Sequence, residues 1–121
     1  MKDSDSSLWE ILVPGNYPLD HHKEWDKKVE SIAGGLTILK PVKGSWVSDD
    51  GNVIREPMIP VRIKCKLEHM MAIGDMTRIH YEQEVVMYYE ISNNVWMHNK
   101  DIGLWECHKG KYEGKNVKKA Q

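Results

Sequence analysis

The sequence predicts an α+β domain in which two helices pack on one face of an antiparallel sheet. Three features support this class: apolar stretches of strand length, two segments with helical spacing of apolar residues, and turn residues between them. The 121 residues are enough for one domain with its own core. We therefore expect a single folded unit rather than a repeat or a multi-domain chain.

The first half of the pattern is a strand followed by a helix. Residues 8–13 (LWEILV) predict the strand, and the turn-rich stretch 14–18 ends it. Asp20 is placed to cap a helix that runs to Ile32. The apolar residues of this helix recur at helical spacing: Trp25, Val29 and Ile32. Gly34-Gly35 predicts its end, since glycine accepts the left-handed conformation.

A hairpin follows this helix. Residues 36–42 predict a second strand, which could continue to Val47, and 53–65 predict a third. Asp50-Gly51 supplies the positive φ of the turn between them. Pro57 and Pro60 cannot donate to a strand ladder, so they predict a bulge or a sheet edge in the first half of the third strand.

A second helix is predicted over 67–82 and a fourth strand over 84–91, which 93–97 either extends or pairs with after a turn. The order β-α-β-β-α-β predicts a ferredoxin-like sandwich. Such a sheet has one face without helices, and a second subunit commonly covers it or pairs with its edges. We therefore expect a homo-oligomer.

Composition divides the chain into three parts and excludes several partners. Residues 1–7 are predicted as a disordered lead, 8–98 as the domain, and 99–121 as a loose tail rich in lysine and glycine. A net charge of −1 gives no general attraction to nucleic acid or an anionic membrane. No apolar run is long enough to span a bilayer, and the polar N-terminus is unlike a signal peptide.

The two cysteines, Cys65 and Cys107, fit neither a metal-binding spacing nor a disulfide framework. Reduced thiols are typical of proteins in the cytoplasm. A cytoplasmic location is therefore predicted.

The hairpin also carries the main candidate site. Trp46 and Glu56 flank the turn and are predicted to lie nearly opposite each other. An aromatic face beside a carboxylate can bind an organic cation. The alternative is structural: Trp46 packs on the sheet while Glu56 pairs with Arg55 or Arg62.

Three further residues could contact a ligand, each with a structural alternative. Tyr81 and Gln83 lie where the second helix meets the next strand, where they could reach a ligand or simply cap the helix. Thr37 could donate a hydrogen bond to a ligand or act as an ordinary strand residue. His21 and His22 lack a third ligand at recognisable spacing, so no metal site and no cofactor are predicted.

Several short motifs resemble those of a widespread family of uncharacterised small bacterial proteins. They occur in the same order over residues 8–97: Gly35-Leu36-Thr37, Gly44-Ser45-Trp46, Asp50-Gly51, Arg55-Glu56-Pro57 and Tyr81-Glu82-Gln83-Glu84-Val85. This resemblance implies a ferredoxin-like fold and no particular function.

Part of the same stretch, residues 33–90, resembles the bacteriophage enzymes that degrade S-adenosylmethionine. The matching pieces are Gly44-Ser45-Trp46, Glu56, the run 61–65, and Glu82-Gln83 followed by Val86 and Tyr89. The resemblance implies a trimer with S-adenosylmethionine, or a related nucleoside, bound between subunits. Trp46 stands where that family typically has tyrosine.

In the implied lyase reaction the substrate's own carboxylate attacks its γ-carbon, which releases methylthioadenosine and forms homoserine lactone. The protein then only positions the substrate and excludes water, without a cofactor. Glu56 is the implied catalytic residue. The implied substrate-binding residues are Trp46, Tyr81 and Gln83, and Thr37 is predicted as a further substrate-binding residue from its position after Gly34-Gly35.

The sequence thus supports two functions. The first is an S-adenosylmethionine lyase, working in the host cytoplasm if a phage encodes it. The alternative is a non-catalytic module on the same fold that binds a small ligand or a protein and sequesters or inhibits it.

Overall fold

The computed structural model describes residues 4–112 of the chain, so parts of the predicted lead and tail, 1–3 and 113–121, lie outside the described residues. Within residues 4–112 two helices and seven strands follow one another. In chain order they are β1 (Ser7–Pro14), α1 (Leu19–Ala33), β2 (Thr37–Ile38), β3 (Val42–Val47), β4 (Val53–Cys65), α2 (Leu67–His80), β5 (Tyr88–Ser92), β6 (Asn94–Asn99) and β7 (Leu104–Lys109). No helix in this described part is long and apolar enough to cross a membrane.

The main sheet has the strand order β2-β4-β1-β5, with β3 paired to the first half of β4. All of its pairings are antiparallel. With α1 and α2 packed on one face, this arrangement confirms the predicted ferredoxin-like α+β class. The predicted second strand is divided into β2 and β3, which pair with different halves of β4.

The core lies between this sheet and the two helices. Side chains alternate between the faces of a strand, and every second residue of β1 and of the end of β4 is buried. The sheet contributes Trp9, Ile11, Val13, Val61, Ile63 and Cys65, and the helices contribute Trp25, Val29, Met70 and Ile73. The other residues of these strands point away from the helices, onto what we call the open face.

The N-cap residues of both helices make no side-chain capping hydrogen bond, and a glycine ends α1 alone. Pro18, not Asp20, is the N-cap residue of α1, and Asp20 lies inside the first turn. The predicted stop is confirmed, because Gly34 has a φ of 90° and its N–H donates to the carbonyl of Glu30. Helix α2 ends at His80, and the positive φ of Glu82, 51°, then turns the chain away from the helix axis.

The C-terminal third differs from expectation. Strand β5 begins at Tyr88, and the next segment leaves the main sheet as a separate β6–β7 hairpin. Residues 104–109, expected in the loose tail, are strand β7 because they pair with the alternating pattern of β6. The N–H of Lys109 donates to the carbonyl of Ser4, so the end of the expected lead is held against this hairpin.

The prolines of β4 lie in a strand without a register shift. Residues 53–57 pair with β3 alone among the described strands, but the carbonyl of Pro57 accepts a 2.9 Å hydrogen bond from the N–H of Gly15, the residue that follows β1. The carbonyl of Pro60 accepts from the N–H of Leu39. Neither predicted alternative describes them: β4 has no register shift at either proline, and Pro60 pairs with Leu12 of β1 on one side and contacts Leu39 on the other.

Candidate functional site

The open face carries both residues of the predicted hairpin site. Trp46 lies opposite Ile54, and Glu56 lies opposite Gly44. Trp46 and Glu56 are therefore diagonal neighbours on one face, two positions away from the directly opposite arrangement that the sequence predicted. Diagonal neighbours are still within reach of an aromatic side chain.

The Glu56 carboxylate has no ion pair or side-chain hydrogen bond within residues 4–112, although the residue is partly buried. The structural alternative placed Arg55 or Arg62 beside it. Arg62 instead lies with its Nε 3.1 Å from Glu10 Oε1, and Arg55 points to the other side of the sheet. Trp46 is 42% exposed next to this carboxylate.

Thr37 is on the open face as well, but at the other end of β4. It pairs with Arg62, six residues along β4 from Glu56. At about 3.3 Å per strand residue this is roughly 20 Å. A small ligand at Glu56 does not reach Thr37 of the same subunit.

Tyr81 and Gln83 lie on the helix side of the sheet. Tyr81 is fully buried, its hydroxyl lies 2.6 Å from Nδ1 of His22, and burial raises the pKa of its phenol well above the usual range. Its carbonyl accepts from the Tyr17 hydroxyl and from Nε2 of Gln83. Within one subunit, the predicted site residues therefore divide between the two sides of the sheet.

A buried carboxylate in the middle of the open face was missed by sequence reasoning. Glu10 is 7% exposed, and it receives hydrogen bonds from Arg62 and from the Tyr89 hydroxyl. The bond to Glu10 raises the pKa of Tyr89. A signal was available, because Glu10 is the charged residue within the otherwise apolar stretch LWEILV.

Sequence reasoning also missed a group of three possible metal ligands between the helices. We call it the helix-end cluster, and it consists of His21, Glu24 and His80. One ligand atom from each lies within 4.8 Å of those of the other two. The sequence did not reveal this group because the third ligand lies 59 positions from His21 and is brought there by α2.

Comparisons with known proteins show what this arrangement is similar to. No family model matches the chain, and no curated protein is significantly similar to it in sequence. The chain is similar in structure to the periplasmic divalent cation tolerance protein CutA from Archaeoglobus fulgidus (14% identity, 81% of this chain and 91% of that one, TM-score 0.58). It is also similar to CutA1 from Oryza sativa (15% identity, 81% of this chain and 86% of that one, TM-score 0.59). A third similar structure is CutA from Xylella fastidiosa (16% identity, 77% of this chain and 88% of that one, TM-score 0.60).

At these identities the likeness shows the fold alone, but it corrects the family suggested by sequence. The three structures named above are CutA proteins rather than S-adenosylmethionine lyases, so the predicted lyase function, its S-adenosylmethionine ligand and the phage origin are wrong. Hairpin packing explains part of the misleading motif. A Cβ at Gly44 would lie 2.7 Å from Cγ of Met58, so the glycine before Trp46 makes room for a neighbouring side chain.

Proposed function

We propose that this chain is a non-catalytic, self-associating binding protein whose open face takes a small organic cation between Trp46 and Glu56. The observation that carries the proposal is the diagonal placement of a half-exposed indole beside a carboxylate without an ion pair in residues 4–112. This is the binding alternative that the sequence left open, with the lyase reaction removed.

The ligand class follows from the two groups. The face of an indole attracts a cation by about 0.5–2 kcal/mol, and a partly buried carboxylate adds a charge partner. Neither group selects for a nucleobase. A compact ammonium with methyl substituents matches both groups better than a neutral or anionic ligand.

Self-association follows from the composition of the open face. No helix covers it, yet it carries the exposed apolar side chains of Val42, Trp46 and Ile54. The carboxylate of Glu10, on the same face, is buried. Large apolar patches of this kind mark interaction surfaces. A second copy of the chain covers such a patch, and the trimer expected from the sequence remains a prediction.

Ligand binding is tested by calorimetry with choline and with 3,3-dimethylbutanol, which has the same shape without the charge. We expect choline to bind and the neutral analogue to bind at least tenfold more weakly. Glu56→Gln should reduce the difference between the two compounds to what the indole face of Trp46 provides. The control is Glu84→Gln, which removes an exposed carboxylate outside the site. Equal binding of both compounds by the wild-type protein, or a Glu56→Gln protein with an undiminished preference for choline, contradicts the proposed ligand class.

Self-association is tested separately by light scattering coupled to size exclusion, over a hundredfold range of protein concentration. We expect a mass above the 14.1 kDa of one chain. Trp46→Ala should shift this mass towards the monomer. A strictly monomeric wild-type protein contradicts this part of the proposal.

A further inference from the structure

The helix-end cluster lies where the first turns of α1 meet the last turn of α2, on the side of the sheet away from the open face. His21 and Glu24 are three positions apart on α1, so they share one face of the helix. His80 is the last residue of α2. Two imidazoles and a carboxylate from two rigid elements thus converge within 4.8 Å.

The hydrogen bonds of the two histidines define their tautomers. Nε2 of His21 lies 2.6 Å from the carbonyl oxygen of His80, and Nε2 of His80 lies 2.7 Å from the carbonyl oxygen of His21. A carbonyl oxygen only accepts, so both Nε2 atoms carry the proton. In the neutral rings this leaves a lone pair on Nδ1 of each histidine.

A neighbouring lysine agrees with this assignment. Nζ of Lys28 lies 3.3 Å from Nδ1 of His80, and an ammonium group only donates, so this Nδ1 is an acceptor. Histidines that ligate metals usually donate their other ring N–H to a carbonyl or a carboxylate. His21 and His80 already have this supporting hydrogen bond, each from the other's backbone.

Packing holds the two rings in place. The imidazoles of His21 and His80 stack with centroids 4.0 Å apart and an interplanar angle of 29°. Tyr17 also stacks on the His21 ring, with the two ring centroids 4.9 Å apart. An imidazole nitrogen donates its lone pair in the plane of the ring, so the two stacked rings must tilt apart before both Nδ1 atoms face one ion.

We propose that His21 and His80, through Nδ1, and Glu24, through its carboxylate, bind a divalent d-block metal ion of the Zn²⁺, Ni²⁺ or Cu²⁺ type. Imidazole ligands suit these ions, whereas Mg²⁺ and Ca²⁺ prefer oxygen ligands. Two histidines and one glutamate form a known ligand set for Zn²⁺ that leaves a position for water. The site is independent of the proposed function, because it uses no residue of the open face.

The fit requires local movements of the two rings, of Glu24 and of Lys28. Ligand atoms around a tetrahedral Zn²⁺ are about 3.3 Å apart for bonds of about 2 Å, so the cluster must close from its present spread of up to 4.8 Å. Glu24 is exposed and can change rotamer. The ammonium group of Lys28 must leave Nδ1 of His80, since the ion and the lysine compete for one lone pair.

The test is isothermal titration calorimetry, in which Zn²⁺, Ni²⁺ or Mg²⁺ is added to the metal-free protein and the heat of binding is measured. We expect one Zn²⁺ or Ni²⁺ site per chain and no heat of binding with Mg²⁺. His21→Ala, His80→Ala and Glu24→Gln should each weaken binding at least tenfold. The matched control is His98→Ala, which removes an exposed imidazole on the β6–β7 hairpin and should leave the affinity unchanged.

Lys28→Ala separates a metal site from a purely structural contact. If the ion competes with the ammonium group, this variant should bind Zn²⁺ more tightly, which a folding defect cannot produce. In ¹⁵N spectra of the imidazoles, Zn²⁺ should shift Nδ1 rather than Nε2 of His21 and His80. The proposal is overturned if Glu24→Gln and Lys28→Ala both bind Zn²⁺ with the wild-type affinity. It is also overturned if His98→Ala abolishes Zn²⁺ binding.

Discussion

The indole N–H of Trp25 on α1 donates a 2.8 Å hydrogen bond to the hydroxyl of Thr77 on α2, with both side chains buried in the core. The hydroxyl in turn donates to the carbonyl of Ile73 across 2.6 Å. Trp25 lies one turn from His21, and Thr77 lies one turn from His80. The bond therefore holds the two helices at the spacing that brings the histidines together.

Loss of the Thr77 hydroxyl should destabilise the fold. In Thr77→Val the buried indole N–H of Trp25 keeps no acceptor, which costs about 1–3 kcal/mol of unfolding free energy. Urea denaturation followed by tryptophan fluorescence measures it. Thr77→Ser keeps the hydroxyl and is the control, so a Thr77→Val protein that is no less stable than Thr77→Ser would contradict the importance of the hydrogen bond.

The end of α1 should depend on one of two adjacent glycines. Gly34 has a φ of 90°, which costs a residue with a Cβ about 1–2 kcal/mol, while Gly35 lacks a positive φ and has open space around it. We expect Gly34→Ala to lower the unfolding free energy by that amount and Gly35→Ala to leave it nearly unchanged. Thermal denaturation of the two variants side by side decides this, and equal melting temperatures would contradict it.

Stability should fall at alkaline pH. Burial raises the pKa of Tyr88, the bond to Glu10 raises that of Tyr89, and burial raises that of Tyr112 to about 12. The folded state keeps these protons longer than the unfolded chain does, so their contribution is complete below about pH 10 and is lost as the pH rises through the folded-state values.

The measurement is urea denaturation between pH 8 and pH 11. Tyr89→Phe removes one titrating phenol and should make the decline above pH 10 less steep than in wild type. A wild-type unfolding free energy that rises over this interval would contradict the sign of the effect.

The two thiols should react at very different rates. Cys65 is 1% exposed in the core, whereas Cys107 is exposed on the β6–β7 hairpin. We expect a thiol reagent to modify one cysteine per native chain and two in denaturant. Cys107→Ser should remove the native reaction, and a rapid native reaction of Cys65 would argue against the core described above.

Much of the fold was predictable from local patterns. The turn at Asp50-Gly51 predicted the β3–β4 hairpin, and the parity of its register placed Trp46 and Glu56 on one face. The exact pairing was off by two positions, because a turn motif leaves the residue at which the ladder closes undetermined. Strand β7 was missed because a short exposed strand with lysine and glycine neighbours looks like a loose tail.

The family assignment failed for a related reason. Residues such as Gly44 and Asp50-Gly51 serve hairpin geometry in any protein that needs the same turn and packing, so their spacing alone does not identify a reaction.

The amino-acid sequence by itself determined the two helices and the strands of the hairpin between them, the position of the α1 stop and the shared face of Trp46 and Glu56. These depend on contacts between residues close along the chain, where periodicity and turn chemistry act directly. The meeting of His21 with His80, and of Glu10 with Arg62 and Tyr89, was decided only by tertiary structure. Such contacts join residues more than 50 positions apart, and their geometry is set by how helices and strands pack rather than by any local pattern.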